Sequence, residues 1–238
     1  MKIAELNILH QTLVVIPARG GSKRIKDKNI RQINGKPMIH WPLSRLCNFI
    51  PRENVLVSTD SQKIQDCIKS FHTLNGYSRP EILADDYTGT SEVVLHALNW
   101  FELNAKKVEY VLVVYPTSVF IRYEDILSAM KILVSDRTCS YVLTVSDFDF
   151  PILRALKMSD DGSVQATHPD LYAKRSQDLP NFYHDAAQFY LYRSETIKNK
   201  QNLLNSRARY VHLDRNNCID IDTYEDLKIA EVILRQSE

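Results

Sequence analysis

The sequence predicts an α/β fold, a largely parallel sheet with helices on both faces. Three observations predict it. Apolar strand-like runs alternate with amphipathic helical patterns through most of the chain. The strand runs are nearly continuous in Val, Ile and Leu, as expected of strands covered on both sides. The 238 residues, 44% of them hydrophobic and 25% charged, suffice for one large domain with a sizeable core.

Taken in order, "LVVIPA" (13–18) reads as a buried first strand and "PMIHWPLSRLCNF" (37–49) as a helix with proline near its N-terminal turn. "NVLVSTD" (54–60) is the second strand, running out into polar residues, and "SQKIQDCIKSF" (61–71) is the helix after it. "TSEVVLHALNWFEL" (90–103) has helical periodicity, with Val93, Val94, Leu98 and Phe101 near one face. "YVLVVYPTS" (110–118) is the most hydrophobic strand; the helix "YEDILSAMKILV" (123–134) and the strand "SYVLTVSDF" (140–148) follow. The rhythm then breaks. From Phe148 to Pro180, turn signals ("SDDGS", "THPD") separate mixed segments too short for a core of their own. Residues 148–180 are therefore expected to form an inserted arm on a single 1–238 domain. Strands resume at "QFYLYR" (188–193) and "RYVHLD" (209–214), and the chain closes on a helix with Thr223 as N-cap and Glu225 and Asp226 in its first turn.

The formal net charge is +1, so no bulk electrostatic footprint points to nucleic acid or an anionic membrane. Cys47, Cys67, Cys139 and Cys218 form no CxxC pair and no zinc-spaced cluster, which fits reduced thiols. "MKIAELNILHQ" lacks the apolar core and cleavage site of a signal peptide, and no apolar run approaches the roughly 20 residues that cross a bilayer. The expectation is a cytoplasmic protein with neither nucleic-acid nor membrane partners.

Any polyanion site must then be local, and "LVVIPARGGSKRIKDKN" (13–29) is the candidate. In open α/β sheets, ligands bind beyond the carboxyl ends of the strands, where residues 18–29 should lie. Gly20 and Gly21 allow a sharp turn and close backbone approach. Arg19 and Lys23, with Arg24 as a further candidate, can neutralise phosphate oxygens, and Asn29 adds neutral polar groups. The stretch contains neither GxxxxGK[ST] nor GxGxxG, which argues against a P-loop NTPase and a dinucleotide dehydrogenase. On chemistry alone, a solvated basic loop remains the competing reading.

The segments "IPARGGSKRIKDKNI", "GKPMI", "VSTDS", "YPTS" and "IDIDTYEDLKIAE", in this order, resemble the cytidylyltransferases that activate nonulosonic and related acidic sugars. That group includes the CMP-sialic acid and CMP-KDO synthetases, and the resemblance runs from about residue 13 to 235. Within it, "RSQDL" (175–179) and "YHDAAQFY" (183–190) look most like the pseudaminic acid cytidylyltransferases. The resemblance implies a Rossmann-like three-layer nucleotidyltransferase in which a sugar hydroxyl attacks the α-phosphorus of CTP and pyrophosphate leaves. It places Arg19, Ser22, Lys23 and Asn29 on triphosphate-contacting positions, with Gly20 and Gly21 shaping the loop. It implies Mg²⁺ at Asp220 and Asp222, and it makes Arg19, Lys23 and Asp222 the residues on which turnover should depend.

If 220–222 is extended, alternation sends Asp220 and Asp222 to one side, where both could face one Mg²⁺; capping and solubility is the competing explanation. The same resemblance sets Arg79 near the cytosine, with Thr88, Gly89 and Thr90 opening the next helix at a place suited to nucleotide contacts. For the acidic sugar, the candidates are Arg175, Gln177 and the "HDAAQFY" segment with His184, Asp185 and Gln188, facing Tyr115, Thr117 and Ser118. Sialic acid synthetases typically read "QPTSPLR" where this chain reads "YPTSVFI", so Tyr115 argues for a different sugar. Pseudaminic enzymes usually read "HDAGQFY", and Ala187 departs from that glycine. Its methyl is a mild change if φ is negative and a costly one if φ is positive. Related enzymes dimerise through such an arm, so 148–180 implies a homodimer. Legionaminic or sialic acid as substrate, and a non-catalytic nucleotide-binding module, are the alternatives. The catalytic base is not assigned by sequence.

Overall fold

The computed structural model describes residues 3–200 and 207–237. It opens with α1 (Ile3–His10) and β1 (Thr12–Pro17), then a small ribbon of β2 (Gln32–Ile33) and β3 (Lys36–Pro37). Asn34 and Gly35 both have positive φ at the ribbon's tip, the two-residue turn that Asn-Gly favours. Next come α2 (His40–Leu46), β4 (Val55–Ser58), α3 (Gln62–Ile68), α4 (Thr90–Asn104), β5 (Tyr110–Val114), α5 (Tyr123–Ser135) and β6 (Tyr141–Asp147). The arm carries β7 (Leu156–Met158), β8 (Val164–Ala166) and α6 (Pro169–Tyr172). The chain returns through β9 (Tyr183–Arg193), α7 (Ser194–Lys198), β10 (Ala208–His212) and α8 (Tyr224–Ser237).

The main sheet has strand order β10-β6-β9-β5-β1-β4. Pairings are parallel except along β9, which runs antiparallel to both β5 and β6. Alternate residues of β1 serve two cores. Val14 and Ile16 pack with α2, α3 and α5 residues such as Leu43, Ile64 and Met130 on one face. Leu13 and Val15 pack with Val94, Leu98 and Phe101 of α4 on the other. The expected sheet with helices on both faces is the observed one, and Val93, Val94, Leu98 and Phe101 form the buried face of α4.

A third cluster lies beyond the carboxyl edge. It joins Ile25 of the opening loop, Ile33 of the ribbon, Met38 just after the ribbon, Trp41 of α2, Ile221, and Leu227 and Ala230 of α8. The N-terminus of α8 is closed as expected. Asp226 N–H donates to Thr223 Oγ1 (3.2 Å), and Thr223 N–H donates back to Asp226 Oδ2 (2.7 Å).

Several expectations need correcting. The helix assigned to 37–49 begins at His40, because Lys36 and Pro37 belong to the ribbon. Strand β9 starts at Tyr183 rather than 188; an irregularity between Leu143 and Val145 of β6 spans Asp185 to Tyr190 of β9 and breaks the alternation that marks a strand. Helix α1 was not anticipated, since the sequence of this segment shows no 3.6-residue apolar period. The segment holding Asp220 and Asp222 is irregular backbone, so strand alternation is not what orients the two carboxylates.

Ala187 sits in the β9 irregularity with φ +50°. Its N–H donates to Asp185 Oδ1 (2.9 Å), and the Gln188 N–H donates to Thr144 Oγ1 (3.3 Å), so hydrogen bonds hold the shape. An L-residue in the left-handed region costs about 1–2 kcal/mol, against roughly 0.5–1 kcal/mol of unfolded-state entropy that glycine would add. Ala187→Gly should therefore stabilise the protein by about 0.5–1 kcal/mol in urea unfolding, and Ala187→Val should destabilise it. An unchanged or lower midpoint for the glycine variant would show that the backbone relaxes at no cost.

Candidate active site

The parallel strands β1, β4, β5, β6 and β10 open their carboxyl ends onto one edge, and the reversed β9 brings its first residues, 183–188, to the same place. Two cavities lie there. The first, about 360 Å³, is lined by Arg19, Ser22, Lys23, Arg24, Lys28 and Asn29, with Tyr115 and Thr117 opposite. The second, about 260 Å³, is lined by Thr90, Tyr115, Tyr141, Asp185, Tyr190 and Tyr192. Tyr115 borders both.

The opening loop takes its path from close packing. A Cβ on Gly20 would lie 2.9 Å from Ser61 Cβ, while the Gly20 N–H donates to Asp60 Oδ1 (2.9 Å). Gly21 faces open space, and neither glycine has positive φ, so it is close approach at Gly20 rather than left-handed backbone that requires glycine here. Asn29 is buried and donates from Nδ2 to the Arg19 carbonyl (2.9 Å), tying the end of the loop to its start.

Each cation of the first cavity is matched by a carboxylate. Arg19 Nη1 and Lys23 Nζ meet Asp86 at 2.8 and 2.5 Å, and Arg24 Nη1 and Lys28 Nζ meet Asp222 at 2.7 and 3.0 Å. The hydrogen bond from Lys23, then that from Arg19, holds the Asp86 carboxyl below the usual range. Asp220 is different. Although the residue is exposed, partial desolvation of its carboxyl by the surrounding atoms pushes its pKa up, the Asp222 charge adds to the rise, and Lys28 and Arg24 oppose it. Among the described residues Asp220 has no hydrogen-bond or ion-pair partner. An exposed carboxylate with no protein partner, beside a second carboxylate, is a donor set suited to a hard divalent cation that brings further oxygen ligands with its substrate. Among the described residues, no group of three or more His, Cys, Asp or Glu is arranged to hold a metal unaided.

The second cavity is aromatic with polar points. Tyr190 donates its hydroxyl to Asp185 Oδ2 (2.6 Å), and the Tyr115 hydroxyl lies 3.1 Å from Thr90 Oγ1. Desolvation first, then the hydrogen bond to Asp185, pushes the Tyr190 phenol far up, so it remains a donor. Tyr115 and Tyr190 meet edge to face at 5.9 Å. Such a cavity suits a ring that carries both apolar and hydrogen-bonding substituents.

Not every expected residue enters these cavities. Arg79 is buried at the end of β4, donating to the Ser58 carbonyl (2.6 Å) and to Ser58 Oγ (3.1 Å). The Thr88 N–H donates to Asp85 Oδ1 (2.6 Å). Ser118 and Gln188 were expected to touch a sugar, but both are fully buried; Ser118 Oγ donates to the Gln188 carbonyl, and Gln188 Nε2 donates to the Ala186 carbonyl (3.2 Å). They brace the edge from beneath. His184 Nδ1 lies 2.9 Å from the Asp185 carbonyl, with its ring against Phe148. Arg175 and Gln177 are exposed on the arm, where Arg175 pairs with Asp178 (2.8 Å), and neither lines a site cavity. Lys28 and Asp86 went unassigned in the sequence reading. Only the density of basic residues after Arg19 and the acidic pair in "ADDY" hinted at them.

A sequence profile described as "Cytidylyltransferase" matches residues 13–237. The pseudaminic acid cytidylyltransferase of Campylobacter jejuni is 28% identical over 225 residues, covering 94% of this chain and 97% of that protein. The CMP-N,N'-diacetyllegionaminic acid synthase of Legionella pneumophila is 28% identical over 233 residues, covering 95% of this chain and 97% of that protein. Among solved structures, a CMP:2-keto-3-deoxy-manno-octonic acid synthetase complexed with CTP aligns with TM-score 0.69 at 15% identity, over 95% of this chain and 99% of that one.

The raised pKa of Asp220 has a consequence for stability. The folded state holds this proton more tightly than the unfolded chain, so the charge costs nothing below the ordinary carboxylate range. The cost then grows as pH rises through the folded-state value. Without divalent cations, Asp220→Asn should therefore raise the thermal midpoint at neutral pH and leave it unchanged at about pH 3. A variant no more stable than wild type at neutral pH would show that the charge is fully compensated.

Proposed function

Because the chain belongs to the cytidylyltransferase family, we propose that it transfers CMP from CTP to an acidic nine-carbon sugar, pseudaminic acid, with release of pyrophosphate. The observation that carries this reading is the shared wall: Tyr115 separates a cavity ringed by four cations from one lined by tyrosines and Asp185. A triphosphate suits the first and a substituted sugar ring the second. Their common border would then be where the two substrates meet.

In this reading Arg19 and Lys23 bind the triphosphate oxygens, and Arg24 and Lys28 stand ready as Asp222 turns to other partners. Asp220 and Asp222 would hold Mg²⁺, which when bound supplies positive charge to the phosphates. The sugar hydroxyl oxygen forms a bond to the α-phosphorus, the bond from that phosphorus to the bridging oxygen breaks, and one proton is released. Protein groups mainly orient the substrates and neutralise the leaving pyrophosphate. Tyr115, Tyr190 and Asp185 would orient the sugar, and buried Arg79 would set the position of the nucleoside end. Pseudaminic acid is favoured by "RSQDL", "YHDAAQFY" and the Campylobacter relative; the Legionella relative, equally identical, makes legionaminic acid the second reading. The homodimer rests on the arm, which exposes Phe150 and Met158 at 82% and 79% of their surface.

Incubated with CTP and Mg²⁺, the protein should release pyrophosphate with pseudaminic acid in preference to legionaminic or sialic acid. Release with another acid alone would reassign the sugar, and silence with all three would favour a nucleotide-binding module without turnover. Asp222→Ala should abolish the Mg²⁺-dependent rate with the fold intact. Arg19→Ala should lower turnover tenfold or more, since a charge-assisted phosphate contact contributes about 1.5–3 kcal/mol. Near-wild-type rates would remove these residues from the site.

Deleting residues 150–170 should convert the dimer to monomers in sedimentation. A dimer that survives the deletion would refute the role given to the arm.

A further inference from the structure

The segment after Arg79 forms a strap beside the cationic cavity, touching two of the cations that line it. Its carboxylate Asp86 meets Lys23 Nζ and Arg19 Nη1, and Arg19 Nη1 also donates to the Asp85 carbonyl (2.8 Å). Asp85 stiffens the strap, with Oδ1 accepting from the N–H groups of Tyr87 (3.0 Å) and Thr88 (2.6 Å). Outside it little holds the strap down, for Ile82 and Tyr87 are 80% and 94% exposed. The segment therefore has strong local order and few apolar contacts, the character of a part that moves as a unit.

Two cations spaced to share one carboxylate are also spaced to share one phosphate group, since both acceptors present oxygens on a single centre. We propose that Asp86 is an internal counter-anion for the triphosphate subsite, a positioning residue that keeps Arg19 and Lys23 aimed at one point until incoming phosphate displaces it. This rests on the CTP reading of the cavity and adds a competitor built into the chain. The contacts are solvent-exposed, so each is worth little, and the competition is correspondingly mild. Mildness is functional: the guanidinium and ammonium groups stay ordered, yet the ligand's higher charge wins. The strap leads directly into α4, whose Thr90 meets Tyr115, so displacement of Asp86 begins four residues from the wall between the cavities.

The test is calorimetric binding of inorganic tripolyphosphate and of CTP to the full chain at fixed ionic strength, without sugar. Asp86→Asn should bind both about three- to tenfold more tightly than wild type, and Asp86→Glu should stay near wild type. Damage to the fold would weaken binding, so a gain cannot come from a purely structural role. Equal or weaker binding by Asp86→Asn, with normal CTP binding by wild type, would overturn this proposal alone. Wild-type protein that binds neither ligand would overturn the nucleotide reading and this one with it.

Discussion

The candidate site depends on one packing constraint, the burial of Ile25 and Ile221 in a single apolar cluster. Each is 0% exposed and sits in a segment without regular structure of its own. Burying such a side chain contributes about 1.5–3 kcal/mol, enough to hold a loop that lacks ladder hydrogen bonds. The anchors leave their neighbours little freedom. Arg24 precedes Ile25, and Asp220 and Asp222 flank Ile221, so packing two isoleucines brings a basic loop against a carboxylate pair. Ribbon β2–β3 and helix α8 complete the cluster, which gives these otherwise peripheral elements a place in the site's construction.

That arrangement explains how a chain of net charge +1 can carry a strongly cationic cavity. The positive groups are not balanced by distant acids but by two local ones, Asp86 and Asp222, each shared between two cations. Isolated, four neighbouring cations would repel and pull away into water. Paired, they stay in a defined geometry at small cost and can exchange one anion for another. Asp220 has no such direct partner, feels Lys28 and Arg24 only at a distance, and its pKa stays raised; this unevenness within the carboxylate pair is what singles it out.

Much of the architecture was legible because it rests on local periodicity. The two cores of β1, the buried stripe of α4 and the capping of α8 follow from residues only a few positions apart. Arg19, Lys23 and Asn29 were legible because they crowd one strand exit. What escaped was set by contacts between distant segments. Lys28 and Asp222 are 194 positions apart, and Arg19 and Asp86 are 67 apart. The orientation of Asp220 and Asp222 was derived from a strand that does not exist; the anchor at Ile221 provides it. Ser118 and Gln188 carry polar groups that suggest ligand contact, yet both are buried inside the sheet edge, where Ser118 Oγ and Gln188 Nε2 donate to backbone carbonyls. Polar type alone does not distinguish a residue that meets a ligand from one that supports those that do.

The irregularity in β9 keeps its shape although alanine occupies its left-handed position, because Asp185 and Thr144 hold the backbone on either side. The curve is thus encoded twice, once in torsional preference and once in side-chain acceptors. A lineage can lose the first code and still inherit the fold of the pocket. Exchanging glycine and alanine at position 187 should then change stability more than the shape of the pocket. Asp185 is the opposite case: it holds the curve and accepts from Tyr190 at once, so a single exchange there would alter architecture and chemistry together.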